Sequence, residues 1–446
     1  MAEAEHPSGS VSPGPNAGTT GAGAPPTRAR FVILSLLLLG TMINYLDRTV
    51  ISIAAPAIRK EWNITPTEWG IIASGFAWSY ALAQIPCGVL LDRLGVKMTY
   101  FLSVTTWSFF TLLQGFAGGL RSLFIIRIGL GLAEAPCFPA NSRVLSAWFP
   151  QGERARATSI FSFGMYSGIA FMSVPLTWFV GKYGWRPMLI LVGSVCLLFG
   201  LLWLKVYREP LESPNVNQAE LDLIRADGGL GHPAKPIPFR WSNLGFLLTR
   251  RQIVGAAIGQ FAGNCVLSFF LNWFIPYLAD ARQMGWIRLG WYASLPFLSA
   301  AVGCLTAGLI SDTLLRKTGS ATLARKLPVI CGFFMASTIV IANYMKTDAL
   351  VITFMCIAFF GQGWINLGWA LITDVAPKKL HGLTTGFFNF ITNIAAIIVP
   401  IVVGYVRQST GSYNLALAFI AVMALMGALC YIFVLGDVRR IEFEEA

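Results

Sequence analysis

The amino-acid sequence predicts an all-α membrane protein with twelve transmembrane helices in two pseudo-symmetric six-helix bundles. Of its 446 residues, 55% are hydrophobic and only 12% are charged, whereas soluble domains carry roughly 25% charged residues. About twelve apolar stretches are long enough to cross a hydrocarbon core ~30 Å thick. A polar linker separates these stretches into two groups of six, and motifs of the first group recur in the second.

The apolar stretches set the domain organisation. Residues 1–30 are rich in Gly, Pro, Ala, Ser and Thr and show no apolar period, so we expect a disordered N-terminal tail. The expected parts that follow are a first bundle at 31–206, a cytoplasmic linker at 207–251, a second bundle at 252–436 and a C-terminal tail at 437–446. The predicted spans are 31–57, 69–91, 98–117, 121–147, 157–180, 187–206, 252–279, 289–311, 327–345, 349–373, 382–406 and 413–435.

The net charge of +12 indicates orientation in a membrane rather than binding to nucleic acid. With both termini inside, most of the 33 lysines and arginines fall on cytoplasmic tails and loops, as the positive-inside rule requires. The eight cysteines lie in apolar segments without paired ligand spacing. We therefore expect small core residues there, and neither a disulfide framework nor a metal site.

A loop motif occurs once in each half. The stretch GVLLDRLGVK follows span 2 and GLISDTLLRK follows span 8, and one constant offset relates their matched Gly, Asp and Lys residues. The residues of this motif are Gly88, Asp92, Arg93, Gly95 and Lys97 in the first copy and Gly308, Asp312, Arg316 and Lys317 in the second. Glycine allows close helix approach and the charges can pair at a helix end, which favours a structural latch with a role in gating. A solvated loop with orienting charges is the alternative.

These motifs resemble the major facilitator superfamily. The stretches NYLDR, AWSYALAQIPCGVLLDRLG, GLAEAPCFPANSRVLSAWFP and LGDVRRIE are similar to the anion:cation symporter group, and specifically to bacterial carriers of glucarate, galactarate, galactonate and hexuronates. The resemblance covers about residues 31–441. It implies a multi-pass monomer of the bacterial inner membrane with cytoplasmic termini, which transports an organic anion together with protons.

Four charged residues stand inside the predicted spans: Asp47 and Arg48 in span 1, and Arg127 and Glu134 in span 4. A charge at a helix centre costs roughly 2.5–3.5 kcal/mol, so such groups are paired, hydrated or functional. A guanidinium binds carboxylates in a bidentate manner, and buried carboxylates can carry protons. We expect Arg48 to bind the substrate carboxylate, Asp47 and Glu134 to take up protons, and Arg127 to tune Glu134, which is also what the resemblance implies. A static salt-bridge cluster is the alternative.

Further polar and aromatic residues are candidates for the substrate site, because amides and hydroxyls can bond a polyol chain and indole rings can stack on it. They are Tyr45, Tyr80, Gln84, Asn272, Trp273, Trp369, Thr373, Asn389 and Asn393. Trp369 and Asn389 match pocket positions of the resembling carriers. Met165 stands where galactonate-type carriers have glutamine, and Pro276 lies one position later than the usual proline. Both departures bear on substrate choice and on the bend of span 7.

The expected function is import of a sugar-acid anion, such as an aldarate, hexonate or hexuronate, coupled to inward proton flow by alternating access. No phosphate-binding glycine-rich motif is present, so we expect no ATP and no cofactor beyond the proton gradient. Another carboxylate such as phthalate or tartrate is the alternative substrate. A membrane enzyme is disfavoured because no clustered catalytic motif stands at a membrane face, and a transporter-like sensor because no large output domain follows.

Overall fold

The computed structural model describes residues 25–226, 241–377 and 380–443, and this part of the chain contains helices and no strand. The predicted tail up to residue 24, linker residues 227–240, residues 378–379 and the last three residues lie outside the described part. The first bundle contains α1 (Ala29–Trp62), α2 (Pro66–Gln114), α3 (Leu120–Glu134), α4 (Cys137–Trp148), α5 (Gln151–Tyr183) and α6 (Trp185–Val206). The linker contains a short 3-10 turn (Pro210–Glu212), α7 (Gln218–Ala226) and α8 (Trp241–Leu248).

The second bundle has the same number of passes. It contains α9 (Arg251–Asn272), α10 (Phe274–Asp280), α11 (Trp286–Thr318), α12 (Ala321–Ser337) with a 3-10 extension (Thr338–Tyr344), α13 (Asp348–Ile365), α14 (Gly368–Val375), α15 (His381–Thr410) and α16 (Asn414–Leu429) with a terminal π turn (Cys430–Val434). Ten helical stretches of the described chain are long and apolar enough to span a membrane. The helix α2, with 49 residues, supplies the other two passes.

Two passes are joined without a loop. We predicted separate spans at 69–91 and 98–117, whereas α2 runs through both. At about 1.5 Å per residue, it is more than twice as long as the hydrocarbon core is thick. The chain turns back at Gly95, whose φ of 73° lies in the left-handed region that favours glycine. The two halves of α2 are therefore two antiparallel passes linked by one glycine.

Prolines account for two breaks inside passes. The fourth pass is broken between α3 and α4 at Ala135 and Pro136, because proline has no N–H to continue the helical hydrogen bonds. In the seventh pass, Trp273 separates α9 from α10 and Pro276 follows three residues later. A proline ring displaces the carbonyl four residues earlier, here that of Asn272. That carbonyl accepts a hydrogen bond from the Ser52 hydroxyl of the other bundle at 3.2 Å, which restores its bonding inside the membrane.

The two bundles are held together at one end of the molecule. We call the end where α1 begins and α16 ends the tail face, and the opposite end the far face. Towards the far face, Arg59 forms an ion pair with Asp280 at 2.6 Å, and the Tyr413 hydroxyl donates to the same carboxylate at 3.0 Å. The backbone N–H of Thr67 donates to the Gln408 side chain at 3.2 Å. These contacts close the space between the bundles at the far face.

Glycines make this closure possible. A Cβ added to Gly70 of α2 would lie 2.3 Å from the Pro400 carbonyl oxygen of α15, and one added to Gly404 would lie 2.4 Å from the Pro66 carbonyl oxygen. Towards the tail face, Gly386 of the same helix α15 has open space at the corresponding atom. At Gly70 and Gly404, helices α2 and α15 approach backbone to backbone because glycine has no side chain to keep them apart.

Replacing Gly70 with alanine is expected to separate the bundles at the far face. Overpacking of this kind costs about 1–3 kcal/mol, which corresponds to a roughly tenfold or larger shift towards the open far face. The measurement is the rate at which a thiol reagent labels Ser52→Cys, since Ser52 lies in the closed contact. Gly386→Ala is the matched control and should leave the rate unchanged. Equal labelling with and without Gly70→Ala would contradict this account of the closure.

The linker is divided between the two bundles. The Glu220 carboxylate of α7 accepts hydrogen bonds from the backbone N–H groups of Ala29 and Arg30, each at 3.3 Å, and pairs with the Arg30 guanidinium at 3.0 Å. It therefore caps the start of α1, where the first N–H groups have no partner within the helix. On the other side, Phe246 of α8 packs against Phe443 of the C-terminal segment. Each described part of the linker thus stays with the bundle to which it is attached.

Candidate functional site

An ion pair between the first and fourth passes forms the centre of the site. The Arg48 guanidinium Nε lies 2.9 Å from Glu134 Oε2, and the Glu134 side chain is fully buried. The Asn44 amide donates to Glu134 Oε1 at 2.6 Å. Asn44 precedes Arg48 by one helical turn, so both groups reach the carboxylate from the same face of α1. Glu134 is the last residue of α3, and the break that follows positions it opposite α1.

Aromatic rings surround the guanidinium of Arg48. Its Cζ lies 4.6 Å from the ring centre of Tyr80, 5.1 Å from that of Phe76, 5.2 Å from that of Tyr45 and 5.7 Å from that of Phe138. Rings at these distances stabilise a cation that has left water. The Arg48 side chain remains 13% exposed whereas Glu134 is not exposed, so an anion that reaches the pair meets the guanidinium first.

The second carboxylate has different partners. Asp47 is fully buried and accepts a hydrogen bond from the Thr111 hydroxyl of α2 at 2.5 Å. Neighbouring residues of a helix point about 100° apart, which is why Asp47 reaches Thr111 of α2 while Arg48 reaches Glu134 of α3. The two adjacent charges of span 1 therefore belong to two distinct environments.

Arg127, which we expected to tune Glu134, forms no ion pair with it in the described part of the chain. Its nearest hydrogen-bond acceptor is the Ala73 carbonyl at 3.4 Å, and its guanidinium lies 5.2 Å from the Phe76 ring centre. The reason is that Arg48 of α1 occupies the position beside Glu134, so the partner of Glu134 comes from another helix.

The chemistry of a buried arginine–carboxylate pair can link anion binding to protonation. An Arg–carboxylate pair holds while the carboxylate is charged, and protonation of the carboxylate frees the guanidinium for another anion. Breaking a buried pair by removing one charge is costly unless a new partner arrives. In a pair of this chemistry, an external carboxylate at the guanidinium and a proton on the internal carboxylate favour each other.

The remaining candidates of the first bundle lie around this pair. Tyr45 and Tyr80 are buried against Arg48. The Gln84 amide donates to the Ala135 carbonyl at 3.5 Å, where the break of the fourth pass leaves that carbonyl accessible. Met165 is half-buried and packs against the hydrophobic core, so it contributes an apolar surface without hydrogen-bonding groups.

The candidates of the seventh pass are engaged in helix contacts. Trp273 is fully buried, and its indole N–H donates to the Pro400 carbonyl at 3.1 Å. The Asn272 amide donates to the Ser268 carbonyl of its own helix at 3.0 Å. In this conformation the Trp273 side chain joins the seventh pass to α15, and the Asn272 side chain bonds within its own helix.

The tenth and eleventh passes carry more accessible candidates. Trp369 is 41% exposed and packs edge-on against Phe388. The Thr373 hydroxyl donates to the Trp369 carbonyl at 2.9 Å. The Asn393 amide donates to the side-chain oxygen of Asn389 at 2.8 Å, which orients two neighbouring amides. Trp369 is therefore the candidate indole that retains an accessible face.

The loop motif of the first half contains an interhelical ion pair. Asp92 of α2 pairs with Arg143 of α4. Gly95 provides the turn, and the Lys97 carbonyl accepts from the Trp203 indole at 3.2 Å. Arg93 is exposed, and the burial of Gly88 is not described. The first copy thus joins two helices within one bundle, as a latch between helices would.

The second copy uses other residues. Asp312, Arg316 and Lys317 are exposed, and Asp312 has no ion pair with any described residue. Gly308 has Ser159 as its nearest contact, 4.0 Å from an added Cβ. The ion pair in this region joins Arg325 to Asp374 at 2.9 Å, and Arg325 also donates to the Ser311 hydroxyl at 2.9 Å. The two motif copies therefore differ in structure: Asp92 of the first copy pairs with an arginine, whereas Asp312 of the second does not pair with any described residue.

Four residues of the site were not among the sequence candidates. Asn44 holds Glu134 and Thr111 holds Asp47. The Asn366 amide donates to the Tyr166 hydroxyl at 2.7 Å and connects the two bundles. Asn44 lies in the NYLDR stretch and Tyr166 lies beside Met165, so their position offered a signal. Thr111 offered none, since hydroxyls in membrane helices commonly bond their own backbone.

Comparison with known proteins supports one family. The family described as Major Facilitator Superfamily matches residues 37–400. The chain is 40% identical to a probable galactarate/D-glucarate transporter of Escherichia coli strain K12, over 94% of this chain and 96% of that protein. It is 39% identical to a D-galactonate transporter of Escherichia coli O6:H1, over 94% and 98%. It is 32% identical to a hexuronate transporter of Bacillus subtilis, over 90% and 93%.

Solved structures agree on the fold. The crystal structure of a bacterial homolog of the human lysosomal transporter Spinster, in an inward-facing and occupied conformation, superposes with a TM-score of 0.70. The match covers 91% of this chain and 97% of that chain at 17% sequence identity. The unoccupied form of the same homolog gives a TM-score of 0.71.

Proposed function

Because the chain belongs to the major facilitator superfamily and is a multi-pass membrane transporter rather than an enzyme, we propose that it is a proton-coupled symporter that imports a sugar-acid anion. The observation that carries this proposal is the Arg48–Glu134 pair, in which one guanidinium can bind either an internal carboxylate or a substrate carboxylate. The relatives named for galactarate, D-glucarate, D-galactonate and hexuronate support the choice of substrate class.

The proposed cycle is alternating access between the two bundles. The tail face is cytoplasmic, the membrane is a bacterial inner membrane, and the protein works as a monomer driven by the proton gradient without a cofactor. From outside, protons reach Asp47 and Glu134, and the anion binds Arg48. The far-face contacts of Arg59, Asp280 and Tyr413 then close behind the substrate, and anion and protons leave on the cytoplasmic side.

The polyol chain of the substrate would lie between the bundles. Arg48 binds one carboxylate, while Gln84, Asn389 and the accessible face of Trp369 are placed on the passes that border the same space. The half-buried Met165 provides no hydrogen bond, which favours an acid that needs fewer hydroxyl partners on this side. These contacts recognise a linear or cyclic hydroxylated acid.

The test uses purified protein in liposomes that contain a pH dye. Galactarate, glucarate, galactonate, glucuronate and phthalate are added outside in turn. Internal acidification that depends on one sugar acid is expected, because each turnover would bring in at least one proton and the carboxylate of the sugar acid stays ionised inside, at a pH far above its pKa. If phthalate alone acidified the lumen, the aromatic-acid alternative would replace the sugar acid. If an anion entered without proton movement, symport would be wrong.

A further inference from the structure

Among the described residues, several buried polar atoms inside the first bundle have no protein partner. Gln114 of α2 is fully buried, and neither its side-chain nitrogen nor its oxygen has a hydrogen-bond partner among the described residues. The same holds for Oδ2 of Asp47 and for Nε and Nη1 of Arg127. These groups come from α1, α2 and α3, which pack against one another through the pairs Thr111–Asp47 and Arg127–Ala73.

Such a cluster requires water. A buried polar group without a hydrogen bond costs about 1–3 kcal/mol, and a glutamine amide has both donors and acceptors to satisfy. Buried waters in proteins typically make about three hydrogen bonds to polar groups of this kind. A carboxylate oxygen, an amide and a guanidinium in one interior provide those partners. Water bridging these groups is therefore the arrangement that satisfies them.

The cluster also lies near the far face. Thr111 and Gln114 are three residues apart and share a face of α2, about 5 Å apart along the helix axis. Gln114 is the last residue of α2, and exposed Phe116 and Gly118 follow in the short loop before α3. Less than one turn of chain thus separates Gln114 from the surface.

At the far face, the space between the two bundles is closed. The buried polar groups around Gln114 lie elsewhere, inside the first bundle. The contacts that close the far face join the two bundles, whereas Gln114, Thr111 and Asp47 all belong to the first bundle. Water can therefore reach these polar groups from the far face without any separation of α2 from α15. Substrate and protons thus have different geometric access to the site.

We infer that protons reach Asp47 from the extracellular side through the interior of the first bundle, by water held at Gln114, rather than through the substrate cavity. This inference rests on the proposed proton coupling. A hydronium outside gives up a proton along the water, and the last water forms the O–H bond on Asp47 Oδ2. Thr111 keeps its hydrogen bond to Oδ1. Arg127 has donors only and cannot pass the proton onward.

The charged and titratable groups that act on Asp47 come from several helices. They are Arg48 of α1, Arg127 and Glu134 of α3, and Cys196 of α6. Arg48 and Glu134 pair with each other, and Arg127 donates to a backbone carbonyl of α2. These groups therefore do not take the place of Gln114 in holding water between Asp47 and the far face. Gln114 is therefore a positioning residue for the water that loads Asp47.

The test compares Gln114→Leu with wild type in liposomes. Net uptake driven by an inward pH gradient is expected to be about tenfold or more slower, because leucine cannot hold the water through which Asp47 would be protonated. Exchange of labelled for unlabelled substrate in acidic medium on both sides should remain within about twofold, since it needs no net proton transfer. Lowering the external pH should restore part of the net uptake rate of Gln114→Leu. The variant Gln114→Asn, which keeps a side-chain amide, should have a higher net uptake rate than Gln114→Leu. Gln260→Leu, a glutamine equally buried in the second bundle, should leave both rates unchanged.

Two results would overturn the inference while proton coupling stands. One is a wild-type rate and pH profile of net uptake in Gln114→Leu. The other is an equal loss of net uptake and exchange, which would mean that Gln114 only supports packing. If the wild-type protein exchanged substrate but moved no protons, the proposed symport itself would be wrong, and the proton route with it.

Discussion

Replacing Arg48 with lysine is expected to weaken anion binding by about tenfold to a hundredfold and to reduce uptake accordingly. Lysine keeps the positive charge but lacks the planar fork that binds a carboxylate through two parallel hydrogen bonds. Loss of one hydrogen bond to a charged group corresponds to about 1.5–3 kcal/mol. Lysine also stacks less well within the rings of Tyr45, Phe76, Tyr80 and Phe138, which lie 4.6 to 5.7 Å from the Arg48 Cζ.

The measurement is substrate affinity from the quenching of intrinsic fluorescence, together with the initial rate of uptake into liposomes. Arg186→Lys is the matched control, because Arg186 forms an exposed pair with Glu61 at the far face. Exposed pairs contribute about 0–1 kcal/mol, so this variant should stay within about threefold of wild type. Wild-type affinity in Arg48→Lys would show that Arg48 does not hold the substrate carboxylate.

Replacing Glu134 with glutamine is expected to separate substrate movement from proton movement. Glutamine has nearly the same shape, can still accept the hydrogen bond from Asn44, and cannot carry an exchangeable charge. Without the carboxylate, the Arg48 guanidinium is free for an anion at any pH. We expect exchange of labelled substrate to continue, while accumulation driven by a pH gradient falls to background.

The sign of the pH dependence follows from the pair. In the wild type, acidification protonates Glu134 and releases Arg48, so the affinity for the anion should rise as the pH falls and decline as the pH rises. In Glu134→Gln the affinity should be high and independent of pH over the same range. The measurement is the dissociation constant as a function of pH, with Glu61→Gln as the control at an exposed pair. Affinity that still rises on acidification in Glu134→Gln would assign the coupling to Asp47 instead.

The membrane class and the twofold repeat were readable from the sequence because both depend on local composition. A bilayer requires about 20 apolar residues for each helical pass, and runs of this length are visible without any tertiary contact. The four intramembrane charges were visible for the same reason, since each is costly in hydrocarbon. The breaks at Pro136 and before Pro276 also follow from the covalent structure of proline.

Partner choice was decided only by the tertiary structure. Sequence spacing places Arg127 and Glu134 on one face of a helix, yet Arg48 from another helix occupies the place beside Glu134. The repeat gives Asp92 and Asp312 the same motif, yet only Asp92 meets an arginine within the described residues. Trp273 and Trp369 are both tryptophans within apolar runs, but packing buries the first and leaves the second accessible.

Composition and periodicity thus determined that this chain crosses the membrane twelve times in two related halves and that Asp47, Arg48, Arg127 and Glu134, all in the first half, stand inside its spans. They could not determine that Asn44 and Thr111 hold the two carboxylates, or that the buried Gln114 has no side-chain partner among the described residues. The physical reason is that the two kinds of interaction act over different stretches of the chain. Burial in lipid acts on each segment by itself, whereas a hydrogen bond or ion pair is set within a few tenths of an ångström by how separate helices pack.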